Sequence, residues 1–229
     1  ADTKSGAIIF DGGSSSEDQV GRYRILPYMK YLGYQKIQIA VISHMDIDHY
    51  SGIKELLEMG KIKYLGLPEI PKDETMKKII GIAKKRGTTI FYLSRGRQIT
   101  TKDGSLKVLH PQKNSQMEKN AASLVMQGKI LGYRVLLTGD VEKEGEEELL
   151  LEELERADIL KAAHHGSKNS TSNEFLQKVQ PKQTVISCGK QNRYGHPHLE
   201  TIHRLQTYHT KIYRTDRSGA IIFFKRRDG

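Results

Sequence analysis

The chain has one cysteine, Cys188, in 229 residues. A lone thiol cannot build a disulfide framework, and it excludes a cysteine-based zinc site. No apolar run approaches the roughly 20 residues that a membrane helix needs, and residues 1–10 (ADTKSGAIIF) lack the basic segment and long apolar stretch of a secretory leader. Internal repeats and low-complexity linkers are also missing. Only 11–21 (DGGSSSEDQVG), 111–121 (PQKNSQMEKNA) and the basic tail Lys225-Arg226-Arg227 read as loosely built, so a single domain over residues 1–229 is expected. Acidic residues are in short supply: 27 Asp+Glu face 37 Lys+Arg, for a formal charge of +10. With 37% hydrophobic and 28% charged residues the chain reads as soluble and globular, and its positive excess suggests a polyanionic partner.

That excess is uneven. Residues 142–156 (EKEGEEELLLEELER) hold eight glutamates and two basic residues, and without them the rest of the chain stands at +16. The segment itself reads as a solvated helix whose apolar side is Leu149, Leu150, Leu151 and Leu154.

Strand and helix signals alternate along the chain. Strands are predicted at 6–10, 36–43, 61–65, 89–93, 106–110, 123–127, 133–139, 158–164, 183–188, 211–214 and 219–224. Helices are predicted at 22–32 despite Pro27, at 50–59, over 73–86, in the acidic segment, and near 171–179 and 199–208. The 73–86 stretch has an acidic first turn, a basic last turn and Gly87 just beyond, which is how helices are commonly bounded. The segments 123–127 and 133–139 read as a hairpin through Gly128–Gly132. Hairpins mixed with crossover helices argue for α/β layers with mixed sheets.

Nine histidines occur, and six fall in three short stretches: His44/His49, His164/His165 and His196/His198. In Ser43-His44-Met45-Asp46-Ile47-Asp48-His49, two imidazoles and two carboxylates follow an apolar strand and precede a helix. These are the ligand types that hold Zn²⁺, Mn²⁺ or Fe²⁺. Asp48 as a helix cap and His44 as a core residue is the plainer reading, and four such residues at one strand end argue against it. Asp140 follows Thr138-Gly139 at another strand end, where an ordinary turn aspartate is equally good. The His164-His165-Gly166 run closes a third apolar strand, and Gly195-His196-Pro197-His198 is also sound turn chemistry.

Taken in order, Asp11-Gly12-Gly13, His44-x-Asp46-x-Asp48-His49, Asp140 and His165-Gly166 resemble the motifs of the metallo-β-lactamase superfamily. Within it, ILPYMKYLGYQKI (25–37), SHMDIDHYSGI (43–53), LLTGDVEKEGEEEL (136–149), DILKAAHHGSKNST (158–171), ISCGKQNRYGHPH (186–198) and RTDRSGAI (214–221) resemble the C-terminal domain of the ComEC family of bacterial DNA-uptake proteins. The resemblance covers essentially the whole chain. It implies a four-layer αβ/βα sandwich, two mixed sheets flanked by helices, with a metal site at the sheet edges.

The carried-over metal ligands are His44, Asp46, Asp48, His49, Asp140 and His165, holding up to two divalent ions. Asp46 stands where most members have a second histidine. No histidine lies between 111 and 163; Asn120 and Ser123 fall about where the usual third-motif ligand would be. One metal position therefore has His44 with Asp46 and the bridging Asp140; the other has Asp48, His49, His165 and Asp140. Such oxygen-rich coordination favours Mn²⁺, with Zn²⁺ as the alternative. The family also usually carries a strand ahead of its Asp-Gly-Gly strand, so the chain is expected to be a piece of a longer membrane protein, its first strand missing.

The resemblance implies a metal-dependent nuclease that degrades the strand not imported during natural transformation. It would work on the extracytoplasmic face beside the membrane channel of its parent, with DNA, single-stranded by expectation, as partner. Asp48 would orient the attacking water. His196, and with it His198, would bind the scissile phosphate or protonate the leaving oxygen. His164, Ser167, Lys168 and Arg193 would contact substrate, and Arg193 with the 225–227 tail would follow the nucleic-acid backbone. Two rivals stand beside this reading: a phosphodiesterase, esterase or lactonase-like hydrolase of small or cell-wall substrates, and a non-catalytic basic DNA-binding module.

Overall fold

A computed structural model of the chain describes residues 1–117, 119–190 and 192–224. A two-residue strand β1 (Asp2–Thr3) pairs antiparallel with β2 (Gly6–Phe10), which leads into the Asp-Gly-Gly turn. The chain then forms a π-helical turn at Gly21–Ile25 that runs into α1 (Leu26–Tyr31). Pro27 falls in the first turn of α1, directly after the π-helical turn. Next come β3 (Ile37–Val41), α2 (Ile47–Glu58), β4 (Ile62–Pro68), α3 (Glu74–Lys85) and β5 (Thr89–Leu93). Strands β2 to β5 pair in parallel in sequence order, giving a five-stranded sheet β1-β2-β3-β4-β5.

The second half builds β6 (Gln98–Thr101), β7 (Gly104–His110), β8 (Val125–Ile130) and β9 (Tyr133–Leu137) as an antiparallel meander. Parallel pairing then continues through β10 (Ile159–Lys161), β11 (Gln183–Ile186) and β12 (Lys211–Arg214). The helices α4 (Lys143–Leu150), α5 (Asn173–Val179) and α6 (Leu199–Thr207) lie between these strands in sequence, and α7 (Thr215–Ser218) follows β12. The seven-stranded sheet has the order β12-β11-β10-β9-β8-β7-β6.

Three apolar clusters identify the layers. Ala7, Ala40, Ile42, Ile53, Leu56 and Ile79 fill the space between the first sheet and its helices. Leu136, Leu160, Leu149, Phe175 and Leu205 do the same for the second. Ile8, Val41, Leu106, Val108, Leu124 and Met126 lie between the two sheets. The period of two along a strand does the sorting: in β2, Ala7 faces helices and Ile8 the opposite sheet, and in β8, Val125 and Met126 divide the same way. Two mixed sheets flanked by helices are thus present, as the alternating segments predicted.

Three local expectations fail. The strand read at 158–164 ends at Lys161, because His164 and His165 take left-handed backbone with φ of 45° and 53°. The apolar 219–224 segment is not a strand: α7 and Gly219, at φ 67°, turn the chain after β12, the Phe223 ring packs edge-on against Tyr213 and Tyr133, and Ile222 and Phe224 stay exposed. The acidic helix is shorter than 142–156, and while Leu149 is fully buried, Leu151 beyond its end is 86% exposed. Residues 225–229, with the basic tail, lie outside the described residues.

Candidate metal centre

The carboxyl ends of five strands converge. In parallel β-sheets such ends, with their loops, are the usual place for a ligand. Phe10 is level with Val41 across β2 and β3, and Leu137 with Lys161 across β9 and β10. The next residues of each strand therefore emerge side by side: Asp11 beside Ser43-His44, and Gly139-Asp140 beside the His164-His165 turn. Gly139, at φ 52°, joins the two sheets at closest approach; a Cβ there would stand 2.9 Å from that of Ser43 and 3.0 Å from that of Ser123. Gly13 is pressed against α2, where an added Cβ would meet the Ile47 carbonyl at 2.6 Å.

Helix α2 begins at Ile47, three residues earlier than predicted, with Asp46 at its cap position. The Asp46 side chain makes no capping bond, and Asp48 lies inside the first turn. The Asp46 carboxylate is thus not used by the helix, and Asp48 takes only its own first-turn amide. Asp46 Oδ2 lies 3.7 Å from His44 Nε2, and Asp48 Oδ2 lies 3.3 Å from His165 Nε2.

Each imidazole is tied down through its Nδ1. His49 Nδ1 donates to Asp11 Oδ2 at 2.8 Å, and His165 Nδ1 donates to the Ser187 carbonyl at 2.7 Å. His44 Nδ1 bonds Ser43 Oγ at 3.0 Å, whose hydroxyl in turn donates to Asp11 Oδ2 at 2.8 Å. All three Nε2 atoms then point inward. They are buried and have no hydrogen-bond partner, although His49 Nε2 and His165 Nε2 approach Asp140 Oδ2 to 3.0 and 3.1 Å. Buried polar atoms seldom go without a partner, and three converging among carboxylates call for a cation. His44, His49 and Asp140 form one group with ligand atoms within 4.8 Å of one another, and Asp48, His49 and His165 form another. The donor set suits a divalent ion: Nε2 lone pairs freed by Nδ1 bonds, carboxylate oxygens, and orienting partners behind them.

The electrostatics agree. Burial works against protonation of His49, but Asp11 and Asp140 outweigh it and hold the imidazole up at about 10. Burial likewise opposes a charged His165, which Asp140 and Asp48 keep at about 9. Burial would raise Asp48, but His165 and His49 take it down to about 2. Asp140 lies well below the usual carboxylate range despite its burial, through Lys161 and His49. The negative charge of the cluster thus holds protons where a metal ion would otherwise sit.

The other predicted site residues are placed as follows. His164 turns aside to bond Glu142 Oε1 at 2.7 Å, so the left-handed turn separates the two neighbouring imidazoles. His196 stacks on His165, ring centroids 6.2 Å apart. Burial, with His164, His198 and His165 close by, pulls it down to about 4 and leaves it neutral near pH 7. His198 precedes α6 and accepts a bond from the Lys168 amide at 3.0 Å. Ser167 is buried and engaged within its own loop, its carbonyl bonded by Thr201, and Lys168 lines a separate cavity of about 660 Å³ together with Glu142 and Arg204. A cavity of about 240 Å³ opens on the cluster itself, lined by Ser14, Asp48, His165, Arg193, Tyr194 and His196 among others.

Three participants were not legible as site residues. Asp11 orients His49 across 38 positions of sequence. Lys161 reaches Asp140 Oδ1 at 3.3 Å and the Gly139 carbonyl at 2.7 Å from inside a strand, with no motif to mark it. Glu142 had been counted with the acidic helix. Only Asp11 carried a signal, in its Asp-Gly-Gly turn.

This fold with this cluster defines a metallo-hydrolase type of protein. The metallo-beta-lactamase superfamily model matches residues 1–190, and the chain belongs to that superfamily. Among curated proteins it is 38% identical over 216 residues to ComE operon protein 3 of Bacillus subtilis, covering 92% of this chain and 27% of that protein. It is 30% identical over 232 residues to competence protein ComA of Neisseria gonorrhoeae, covering 97% and 30%, and 28% identical over 215 residues to recombination protein 2 of Haemophilus influenzae, covering 93% and 26%. The chain therefore spans less than a third of these relatives' length. The metallo-beta-lactamase fold protein YhfI of Bacillus subtilis shares the fold with TM-score 0.57 at 13% identity, over 90% of this chain and 83% of that one. Among the described residues no helix is long and apolar enough to cross a membrane.

Proposed function

We propose that the chain is a metal-dependent nuclease that hydrolyses DNA phosphodiester bonds, and that it serves DNA uptake as a portion of a longer competence protein whose membrane channel is its partner. The observation that carries the catalytic part is the convergence of three buried Nε2 atoms, none with a hydrogen bond, on the carboxylates Asp46, Asp48 and Asp140 beside a cavity open to solvent. The DNA part rests on the competence relatives and on the +16 charge outside the acidic segment.

His44, Asp46 and Asp140 would hold one ion, and Asp48, His49, His165 and Asp140 a second; Mn²⁺ suits the oxygen-rich set, with Zn²⁺ the alternative. Bound divalent ions supply Lewis acidity and bring a water's pKa toward neutrality. Asp48, ionised and on the cavity wall, orients the water that attacks phosphorus. His196 faces the same cavity and takes the phosphate or leaving-oxygen side, while Arg193 offers charge to the chain beyond. His198 acts behind His196, their rings 4.9 Å apart. Lys161 keeps Asp140 ionised by its own charge. The extracytoplasmic face of the membrane is where this degradation of a non-imported strand would occur.

Metal-stripped protein incubated with labelled single- and double-stranded DNA, then supplied with Mn²⁺, Zn²⁺ or Mg²⁺, tests the proposal. Cleavage that requires metal and is lost in Asp48→Ala is the expected result. Binding without cleavage under every metal overturns it.

A further inference from the structure

A column of flat side chains rises out of the metal cluster. His165 and His196 stack with centroids 6.2 Å apart and planes 25° apart, and Tyr194 and His196 with centroids 5.7 Å and planes 24° apart. The Arg193 guanidinium lies over the Tyr194 ring, 4.8 Å from its centroid, and donates to the Tyr194 hydroxyl at 2.6 Å. The inner end is the partly buried His165 imidazole, its Nε2 among carboxylates. The outer end is Tyr194 with Arg193 over it, and Tyr194 is 52% exposed.

The column stands on a braced loop. Asn192 Oδ1 accepts from the His196 amide at 2.8 Å, and its Nδ2 donates to the carbonyls of His196 at 2.6 Å and Gly189 at 3.0 Å. Gly195, at φ 69°, allows the turn that brings Tyr194 back beside His196. Ordering the ring therefore needs little further entropy when a ligand arrives.

We infer that Tyr194 and Arg193 together, the guanidinium lying over the ring at the outer end of the column, form a stacking platform for one unpaired base of the substrate strand, set beside the cavity that takes the adjoining phosphate. The inference rests on the nuclease reading and deepens it by naming single-stranded or end-frayed DNA as the substrate class. A base that is paired and stacked within a duplex has both faces covered and cannot lie on the ring. An aromatic face next to a guanidinium is the pair of groups that holds unpaired bases without regard to sequence. The 240 Å³ cavity, walled by Ser14, Ser16 and Asp48 on one side and His196 and Tyr194 on the other, is small beside a duplex and suited to one nucleotide unit.

The chain contains no tryptophan, so Tyr194→Trp introduces a single indole reporter. In metal-free Tyr194→Trp protein, an oligothymidylate should quench the indole emission, and the same strand made wholly abasic should not. Equal quenching by both strands, or by neither, overturns the inference. With Mn²⁺ and cleavage of a single-stranded oligonucleotide, Tyr194→Ala should raise KM about tenfold with kcat within about twofold, and Tyr194→Phe should stay near the parent. An unchanged KM in Tyr194→Ala, or a loss confined to kcat, also overturns it. If the parent chain cleaves no DNA with any metal, the nuclease reading fails, and the quenching comparison still decides the platform.

Discussion

The two corners of the cluster are built differently. In the corner of Asp48, His49 and His165, ligand atoms come from both sheets, carboxylate-to-imidazole distances are 3.0 to 3.3 Å, and each imidazole is braced from behind by Asp11 or the Ser187 carbonyl. In the corner of His44 and Asp46, the carboxylate stands 3.7 Å from the ring, on a half-exposed side chain, and the brace behind His44 is a hydroxyl, Ser43 Oγ. Asp140 lies between the two. The difference teaches that one corner is organised by the fold before any ion arrives, while the other keeps a ligand that must still be ordered. Preorganised ligands hold metal more tightly, so the Asp48 corner should fill first.

The largest effect tests what the corners share. Asp140→Asn should lower metal affinity at both by more than about a thousandfold, since it removes the common carboxylate as well as partners of His49 and His165. Metal content after dialysis reads this, with thermal unfolding followed alongside to separate it from a folding defect. Retention of two tight ions would break the comparison.

Acidity should come next. His49 and His165 hold protons up to about pH 10 and 9, and loading the cluster must expel them. Affinity in the Asp48 corner should therefore rise with pH, by up to about a hundredfold per unit around neutrality when both protons leave, and level off above those values. The opposite sign applies to the metal-free fold: the raised imidazoles contribute stability below their ordinary range near 6.5, and that contribution fades as pH climbs toward 10. Calorimetry in buffers of different ionisation enthalpy counts the released protons; none released would contradict the assignment.

Asp11→Asn weakens the brace of His49 directly and that of His44 only through the Ser43 hydroxyl. It should cost about 10- to 100-fold in affinity at the Asp48 corner and much less at the other. The smallest effect belongs to Asp46, where Asp46→Ala should lower affinity at the weak corner by several-fold and leave the strong one unchanged. Asp46→His, in contrast, should shift that corner's preference from Mn²⁺ toward Zn²⁺. Stepwise titration of metal-free protein with each ion distinguishes these outcomes.

Much of the fold was legible because its strands obey short-range rules. Alternation in Ala7-Ile8 or Val125-Met126 announces a strand with two different apolar partners, and Asp73 before α3 with Gly87 after it marks a helix by end chemistry. The errors occur where a neighbour decides. Gln98–Thr101 is largely polar and gives no strand signal of its own, yet β7 makes it a strand by pairing with it. The residues Ala220 to Phe224 are apolar enough for a strand, yet after the α7 turn they pack through the Phe223 ring on Tyr213 and Tyr133 instead of pairing as one.

The candidate site divides the same way. His44, Asp46, Asp48 and His49 lie within six residues, so their common target is a local property of one strand-to-helix loop. Asp140 and His165 were identifiable by residue type and strand-end position, but the choice of His165 over its neighbour needed the left-handed turn and the Glu142 carboxylate that claims His164. Asp11 and Lys161 act through bonds to residues 38 and 21 positions away.

The amino-acid sequence alone determined the layered mixed-sheet class, the family resemblance and the residues able to hold metal, because hydrophobic period and residue chemistry are carried by short segments. Only the tertiary structure decided which nitrogen faces the cluster, which carboxylate is shared, and that Tyr194 caps a column leading out of it. Those facts depend on parallel strand registers that bring Phe10 level with Val41 and Leu137 level with Lys161. No segment read by itself contains that alignment.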